Sequence, residues 1–259
     1  MTVRVVRTLA AMGGVYRLSA AGGPASSRFQ RYVELGRAGL PVSAYNPMTN
    51  QDVLGTIDDL LASDAETVIE DAANDQAQVL RFTDDLDMYI AVATPGMWTE
   101  RTATEVEHRL LGRASSQVLL WNGESVSTTS TIAETIAQLV RVVWIKHHGP
   151  PATVADAVGC EGLAAALGQL DTKQRGPDDR AVADALDILG EDTALGTMVA
   201  VVYGDDAART LGFTPIGLTE KAGLRYSAAL AAEELRRTSA ATLITERWSP
   251  ARPSAAEQP

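Results

Sequence analysis

Residues 117–128 read QVLLWNGESVST, and this stretch decides the fold class that the sequence predicts. A strand-like apolar run ends at Trp121, and Asn122-Gly123 comes directly after it. This dipeptide is the one that two-residue β-hairpin turns favour, because both positions need a positive φ. The pattern therefore predicts an antiparallel hairpin in which residues 118–121 pair with residues 125–128.

Similar short apolar runs, separated by polar or glycine-containing turns, extend the pattern in both directions. Before the hairpin they lie at residues 68–69, 79–82, 88–92 and 106–110. Together these runs predict an antiparallel meander between residues 66 and 128. Further runs of the same kind predict a second meander in the last quarter of the chain; they lie at residues 198–203, 214–218, 224–230 and 241–248.

Apolar residues at helical spacing predict the helices around these strands. The predicted helices cover residues 4–12, 24–40, 50–61, 130–148, 154–158, 163–170 and 178–189, with a short strand at 15–18. The predicted class is α+β, with antiparallel sheets, flanking helices and a C-terminal helical bundle. We expect an N-terminal subdomain over residues 1–150, a second over 151–248, and a disordered tail over 249–259.

The charge distribution restricts the possible partners. The chain has 259 residues, 22 Lys and Arg and 33 Asp and Glu, so its net charge is 22 − 33 = −11. Eleven of the acids and one base lie between Asp52 and Asp87. Since an acidic chain repels phosphate backbones, we expect no nucleic-acid partner. We also expect no membrane insertion, because no stretch approaches about 20 apolar residues. The single cysteine, Cys160, cannot form an internal disulfide or a cysteine-based zinc site.

The candidate chemical groups favour structural interpretations. His147 and His148 are adjacent at a predicted helix end, and neighbours on a helix do not chelate one metal ion as an i, i+4 pair does. The segment 203–206, Tyr-Gly-Asp-Asp, is also found at polymerase sites, but a turn fits better, with Gly204 left-handed and an Asp capping the next segment. We predict no metal, cofactor or catalytic site, although a small-molecule enzyme with an apolar pocket remains the alternative.

The order and character of these segments resemble the EspG family, the cytosolic substrate-specific chaperones of actinobacterial type VII (ESX) secretion. The segments that carry the resemblance are residues 29–42, which end in a Gly-Leu-Pro-Val sequence, residues 47–62, the 118–126 hairpin with the long helix after it, and the runs 199–203, 216–226 and 242–248.

The resemblance implies two α+β subdomains related by a pseudo-twofold axis and a binding function without catalysis. Such chaperones are cytoplasmic and hold the hydrophobic tip of a helical secretion substrate, typically a PE–PPE-like heterodimer, which they keep soluble for export. The implied partner-facing parts correspond to residues 94–104 and roughly 154–170. We therefore expect partner contacts from Met97 and Trp98 in the first segment, since Met and Trp are favoured at interfaces, and from Val158, Leu163 and Leu167 in the second.

Overall fold

The computed structural model describes residues 2–20, 24–49, 52–96, 100–112, 116–124, 126–170 and 178–250. Twelve helices and three strands make up this described part, which is mostly helical. In chain order they are β1 (Val3–Val5), α1 (Leu9–Ala20), α2 (Ala25–Arg37), α3 (Val53–Ala62), α4 (Ala65–Val79), β2 (Leu86–Ala93), α5 (Arg101–Arg109), β3 (Gln117–Trp121), α6 (Thr128–His148), α7 (Val154–Gly168), α8 (Asp179–Leu189), α9 (Leu195–Tyr203), α10 (Asp205–Thr210), α11 (Ala222–Glu234) and α12 (Ala240–Thr245).

The chain divides into two compact units. Unit 1 contains residues 1–77, 83–101 and 116–135, and unit 2 contains residues 78–82, 102–115 and 136–259. The boundaries predicted after residues 150 and 248 stay predictions, and residues 251–259 of the predicted tail lie outside the described part.

Unit 1 is built on a three-stranded sheet with the order β1-β2-β3. Both strand pairs are parallel: Val5 is the register partner of Met88, and Ala93 is that of Trp121. The central strand β2 is buried from Met88 to its end. A parallel strand buried in this way reads as a continuous apolar run, as it does here.

The predicted antiparallel sheets, and with them the α+β class, are therefore wrong. Four helices connect β1 to β2, and α5 connects β2 to β3, so that each connection carries the chain back and the next strand runs parallel. Asn122-Gly123 does form a turn, with a φ of +92° at Gly123, but the chain then enters α6 at Thr128 instead of a returning strand.

Most of the other predicted strands are helical. Residues 15–18, 68–69, 106–110, 198–203, 224–230 and 241–248 lie wholly or largely in α1, α4, α5, α9, α11 and α12. Only the runs at 88–92 and 117–121 are strands. In α4 the buried residues Ala65, Ile69, Ala73 and Ala77 are four positions apart, which is a helical stripe. The run 198–203 is buried at every position, and a short apolar run of that kind fits a buried helix as well as a strand.

Unit 2 contains a helical core around α7, 13 of whose 15 residues are buried. The two helices predicted over residues 154–158 and 163–170 are one continuous helix, α7, which ends at Gly168, and the helix predicted over residues 178–189 is confirmed as α8. Small residues allow α7 and α11 to approach closely, and the Ser227 hydroxyl on α11 donates to the Val158 carbonyl at 2.5 Å. Buried within the same unit, Arg141 makes a bidentate ion pair with Glu161 at 2.7 and 3.0 Å.

Candidate binding site

The carboxyl ends of β2 and β3 lie side by side in unit 1. Ala93 pairs with Trp121, and the next residue, Asn122, donates its backbone N–H to the Ala93 carbonyl at 2.8 Å. The Thr56 hydroxyl of α3 donates to the Asn122 side-chain oxygen, also at 2.8 Å. In α/β proteins with open sheets, ligands bind at the carboxyl ends of parallel strands, so this edge is the candidate site.

Two buried polar atoms mark this edge. Thr94, directly after β2, is 2% exposed, and Trp121 at the end of β3 is 4% exposed. Within the described residues, neither Thr94 Oγ1 nor Trp121 Nε1 has a hydrogen-bond partner. Buried polar groups are almost always hydrogen-bonded, so each of these two unpaired atoms lowers the stability of the folded protein.

Arg101 fixes the start of α5 at the same edge. Its guanidinium carbon lies 5.3 Å from the ring centroid of Trp121, within cation–π range, and Nη2 is 2.6 Å from the Glu124 carboxylate. The connection from β2 to α5 thus has one end buried at Thr94 and the other held at Arg101. This edge therefore brings together an aromatic ring, an amide, a hydroxyl and an ion pair.

The first strand-to-helix turn of the sheet, by contrast, is already filled. A helix N-terminus after a strand attracts anions, and phosphate groups bind there in many nucleotide-binding folds. In this chain the carboxylate of Glu66 occupies that place: Oε1 accepts the backbone N–H groups of Thr8 and Leu9 at 2.7 and 3.1 Å. Glu66 is 6% exposed. This turn therefore already has its own buried carboxylate.

Behind this edge, β2 is held by two buried hydroxyl groups. Thr8 Oγ1 and Tyr45 Oη both donate to the Ile90 carbonyl, at 2.9 and 2.8 Å. Burial raises the pKa of Tyr45 well above its ordinary value, so the hydroxyl stays protonated and remains a donor across the physiological pH range.

The residues predicted to contact a partner lie in two places. Met97 and Trp98 fall outside the described residues, between Gly96 and Glu100 of the β2–α5 connection. Val158 and Leu163 are fully buried in α7, in unit 2, and Leu167 near the end of that helix is half-buried. The predicted role of all five in partner binding stays a prediction.

The other sequence candidates have structural partners. His148 Nε2 is 2.6 Å from the Ile244 carbonyl, whereas His147 is exposed. Gly204 has a φ of +89°, as the turn interpretation predicted. The carboxylate of Asp205 accepts the backbone N–H groups of residues 216–218, so it holds a distant loop instead of capping α10. Cys160 is buried, and burial raises the pKa of its thiol.

Sequence reasoning missed Arg101, Trp121 and Glu66 as members of one sheet edge. The Asn-Gly turn pointed to the end of β3, but a site at a carboxyl edge can be inferred only when the strands are known to be parallel.

In the described ranges, no group of three His, Cys, Asp or Glu side chains is placed to hold a metal ion, and no helix is long and apolar enough to cross a membrane. No protein-family model matches this chain, and no curated protein or solved structure shows a significant match to it.

Proposed function

We propose that this chain is a binding protein that holds an apolar segment of a helical partner protein, and that the β2–α5 connection, residues 94–100, is the binding element. The observation that carries the proposal is the position of this connection. It leaves the carboxyl end of the central strand of a parallel sheet, where α/β proteins bind their ligands.

Both ends of the connection are anchored in unit 1. Thr94 is buried, and Arg101 is held by Trp121 and Glu124. Anchored ends reduce the conformational entropy that a loop loses on binding. Between them the sequence has Met97-Trp98, the two residue types that supply adaptable and anchoring contacts at protein interfaces.

The narrower function is part of the same proposal and rests on the resemblance. In that form the partner is a PE–PPE-like heterodimer, and the chain acts in the cytoplasm as a chaperone for type VII secretion. The antiparallel sheet that the resemblance implied is not the sheet of this chain. The binding function therefore depends on the β2–α5 connection and not on a shared architecture.

The test is a titration of the purified chain with a PE–PPE-like heterodimer, monitored by calorimetry. We expect binding in the wild type and at least tenfold weaker binding for Trp98→Ala, as for an interface anchor. The matched control is Phe29→Ala, because Phe29 is 50% exposed on α2, elsewhere in unit 1. Absence of binding rejects the chaperone function, and equal binding by Trp98→Ala rejects the proposed element.

A small molecule is the second candidate ligand at this edge. The buried atoms Thr94 Oγ1 and Trp121 Nε1, which lack partners in the described residues, favour it because a ligand could satisfy them. Native mass spectrometry of the purified chain without added partner distinguishes the two candidates. A retained mass that disappears in Trp121→Phe, which removes only the indole N–H and part of the ring, supports a small ligand.

A further inference from the structure

A second candidate site lies in unit 2. A cavity of about 300 Å³ opens there between the segment after α4, the end of α6, and α12. Leu80 and Ala241 are its buried apolar residues, and Arg81, His147 and Glu246 provide its ionisable groups. This volume is at the lower end of the range for small-molecule sites.

Named contacts hold each of the three segments in place. Lys146 Nζ on α6 lies 5.3 Å from the ring centroid of Phe82, beside Arg81. His148 Nε2 is 2.6 Å from the Ile244 carbonyl of α12. Arg247, directly after Glu246, is 2.6 Å from the carboxylate of Asp156, whose side chain is fully buried. The walls of the cavity are therefore positioned before any ligand arrives, which lowers the cost of binding.

Two charged side chains that line the cavity have no partner among the described residues. In the described part of the chain, neither the guanidinium of Arg81 nor the carboxylate of Glu246 makes an ion pair or a hydrogen bond, although both line the same cavity. Arg81 has a left-handed backbone, with a φ of +52°, which is uncommon for a residue other than glycine. The two threonines beside them already have partners, since Thr242 bonds Ser239 and Thr245 bonds the Ala241 carbonyl.

We propose that this cavity binds a small zwitterion of the free amino acid class. Its carboxylate lies against Arg81 and His147, because a guanidinium forms strong, often bidentate, hydrogen bonds with a carboxylate. Its ammonium lies against Glu246. A ligand with both charges can pair with both groups at once, whereas a simple anion can pair only with Arg81 and a simple cation only with Glu246.

The experiment is an NMR titration that follows the imidazole signals of the chain's three histidines, of which His147 alone lines the cavity. The probes are glycine and L-serine as zwitterions, with acetate and methylammonium as the single-charge controls. We expect saturable shifts at His147 with the zwitterions and at least tenfold weaker binding of either single-charge probe.

Single substitutions test the contributions of Arg81 and Glu246 to ligand binding separately. Arg81→Gln and Glu246→Gln should each weaken L-serine binding at least tenfold, and Arg37→Gln is the matched control because Arg37 is an exposed arginine of unit 1. All three residues are exposed, and unchanged circular dichroism confirms that the variants fold. Acetate binding as tight as L-serine, no shift at His147 with any zwitterion, or undiminished binding by both cavity variants each overturns the proposal.

Discussion

The carboxylate of Glu66 accepts the backbone N–H of Thr8 at 2.7 Å, at the point where β1 leads into α1. Two further α4 residues, four and eight positions later, bond the strand itself. Glu70 accepts the N–H of Val5 at 2.6 Å, and Asn74 accepts the N–H of Val3 at 3.0 Å and donates to its carbonyl at 2.8 Å. The helical spacing of these side chains thus matches the alternate backbone groups of an edge strand, and the unpaired edge of β1 is covered.

This arrangement predicts a large stability difference between two acids of the same helix. Glu66→Ala should lower the free energy of unfolding by about 2–3 kcal/mol, because it leaves two buried N–H groups without a charged acceptor. Asp71→Asn is the control, since Asp71 is exposed. This substitution should change the free energy of unfolding by less than about 0.5 kcal/mol. Urea unfolding measures both. Equal effects of the two substitutions would show that Glu66 has no special role.

The buried pair in unit 2 leads to a second prediction. The side chains of Arg141 and Glu161 are 2% and 0% exposed. Glu161→Gln should destabilise the protein by about 3–5 kcal/mol, because it removes the negative charge of the carboxylate that the buried guanidinium of Arg141 binds. The exposed pair Arg31–Glu34 is the comparison, and Glu34→Gln should cost less than about 1 kcal/mol. Thermal or urea unfolding of both variants tests this, and a small effect of Glu161→Gln would contradict it.

Two glycines should respond in opposite directions to alanine. A Cβ at Gly162 of α7 would lie 2.7 Å from Ser227 Cβ and 2.9 Å from the Ser227 carbonyl carbon, so Gly162→Ala forces α7 and α11 apart. We expect a loss of at least about 3 kcal/mol. At Gly14, on the exposed side of α1, a Cβ meets nothing within 4 Å, so Gly14→Ala should stabilise by about 0.5–1 kcal/mol. Stabilisation by both substitutions would rule out the close helix contact.

Acid should release the loop between α10 and α11 before it unfolds the protein. Hydrogen bonds from the Thr219 hydroxyl and backbone N–H lower the pKa of Asp178. Burial opposes ionisation of Asp205, but the N–H groups of Ile216, Gly217 and Leu218 outweigh it, and its pKa is also lowered.

Because both pKa values are lowered on folding, the stabilisation is complete above the ordinary carboxyl pKa of 3.8 and is lost as the pH falls through the lower folded values. Amide hydrogen exchange of residues 216–219 between pH 5 and pH 2, corrected for intrinsic rates, should show falling protection. Asp205→Asn should show low protection at every pH. Protection that does not change with pH in the wild type would contradict the role of these carboxylates.

The predictions from sequence succeeded where a long periodic stripe was present. The helix predicted over residues 130–148 is α6, and that over residues 178–189 is α8. They failed at short apolar runs such as 198–203, because such a run has no period that distinguishes a buried helix from a strand. They failed also at the Asn-Gly turn, because a local turn does not determine whether the chain next forms a strand or a helix.

The sequence by itself therefore determined the positions of the periodic helices, the two strands richest in apolar residues, and the concentration of acids between Asp52 and Asp87. Only the tertiary structure decided that the strands run parallel and that Glu66 closes the first strand-to-helix turn. The physical reason is the range of the interactions involved. Helical periodicity depends on residues three or four positions apart. Strand direction and the partner of a buried carboxylate depend on contacts between residues that are far apart in the chain, as Glu66 and Thr8 are.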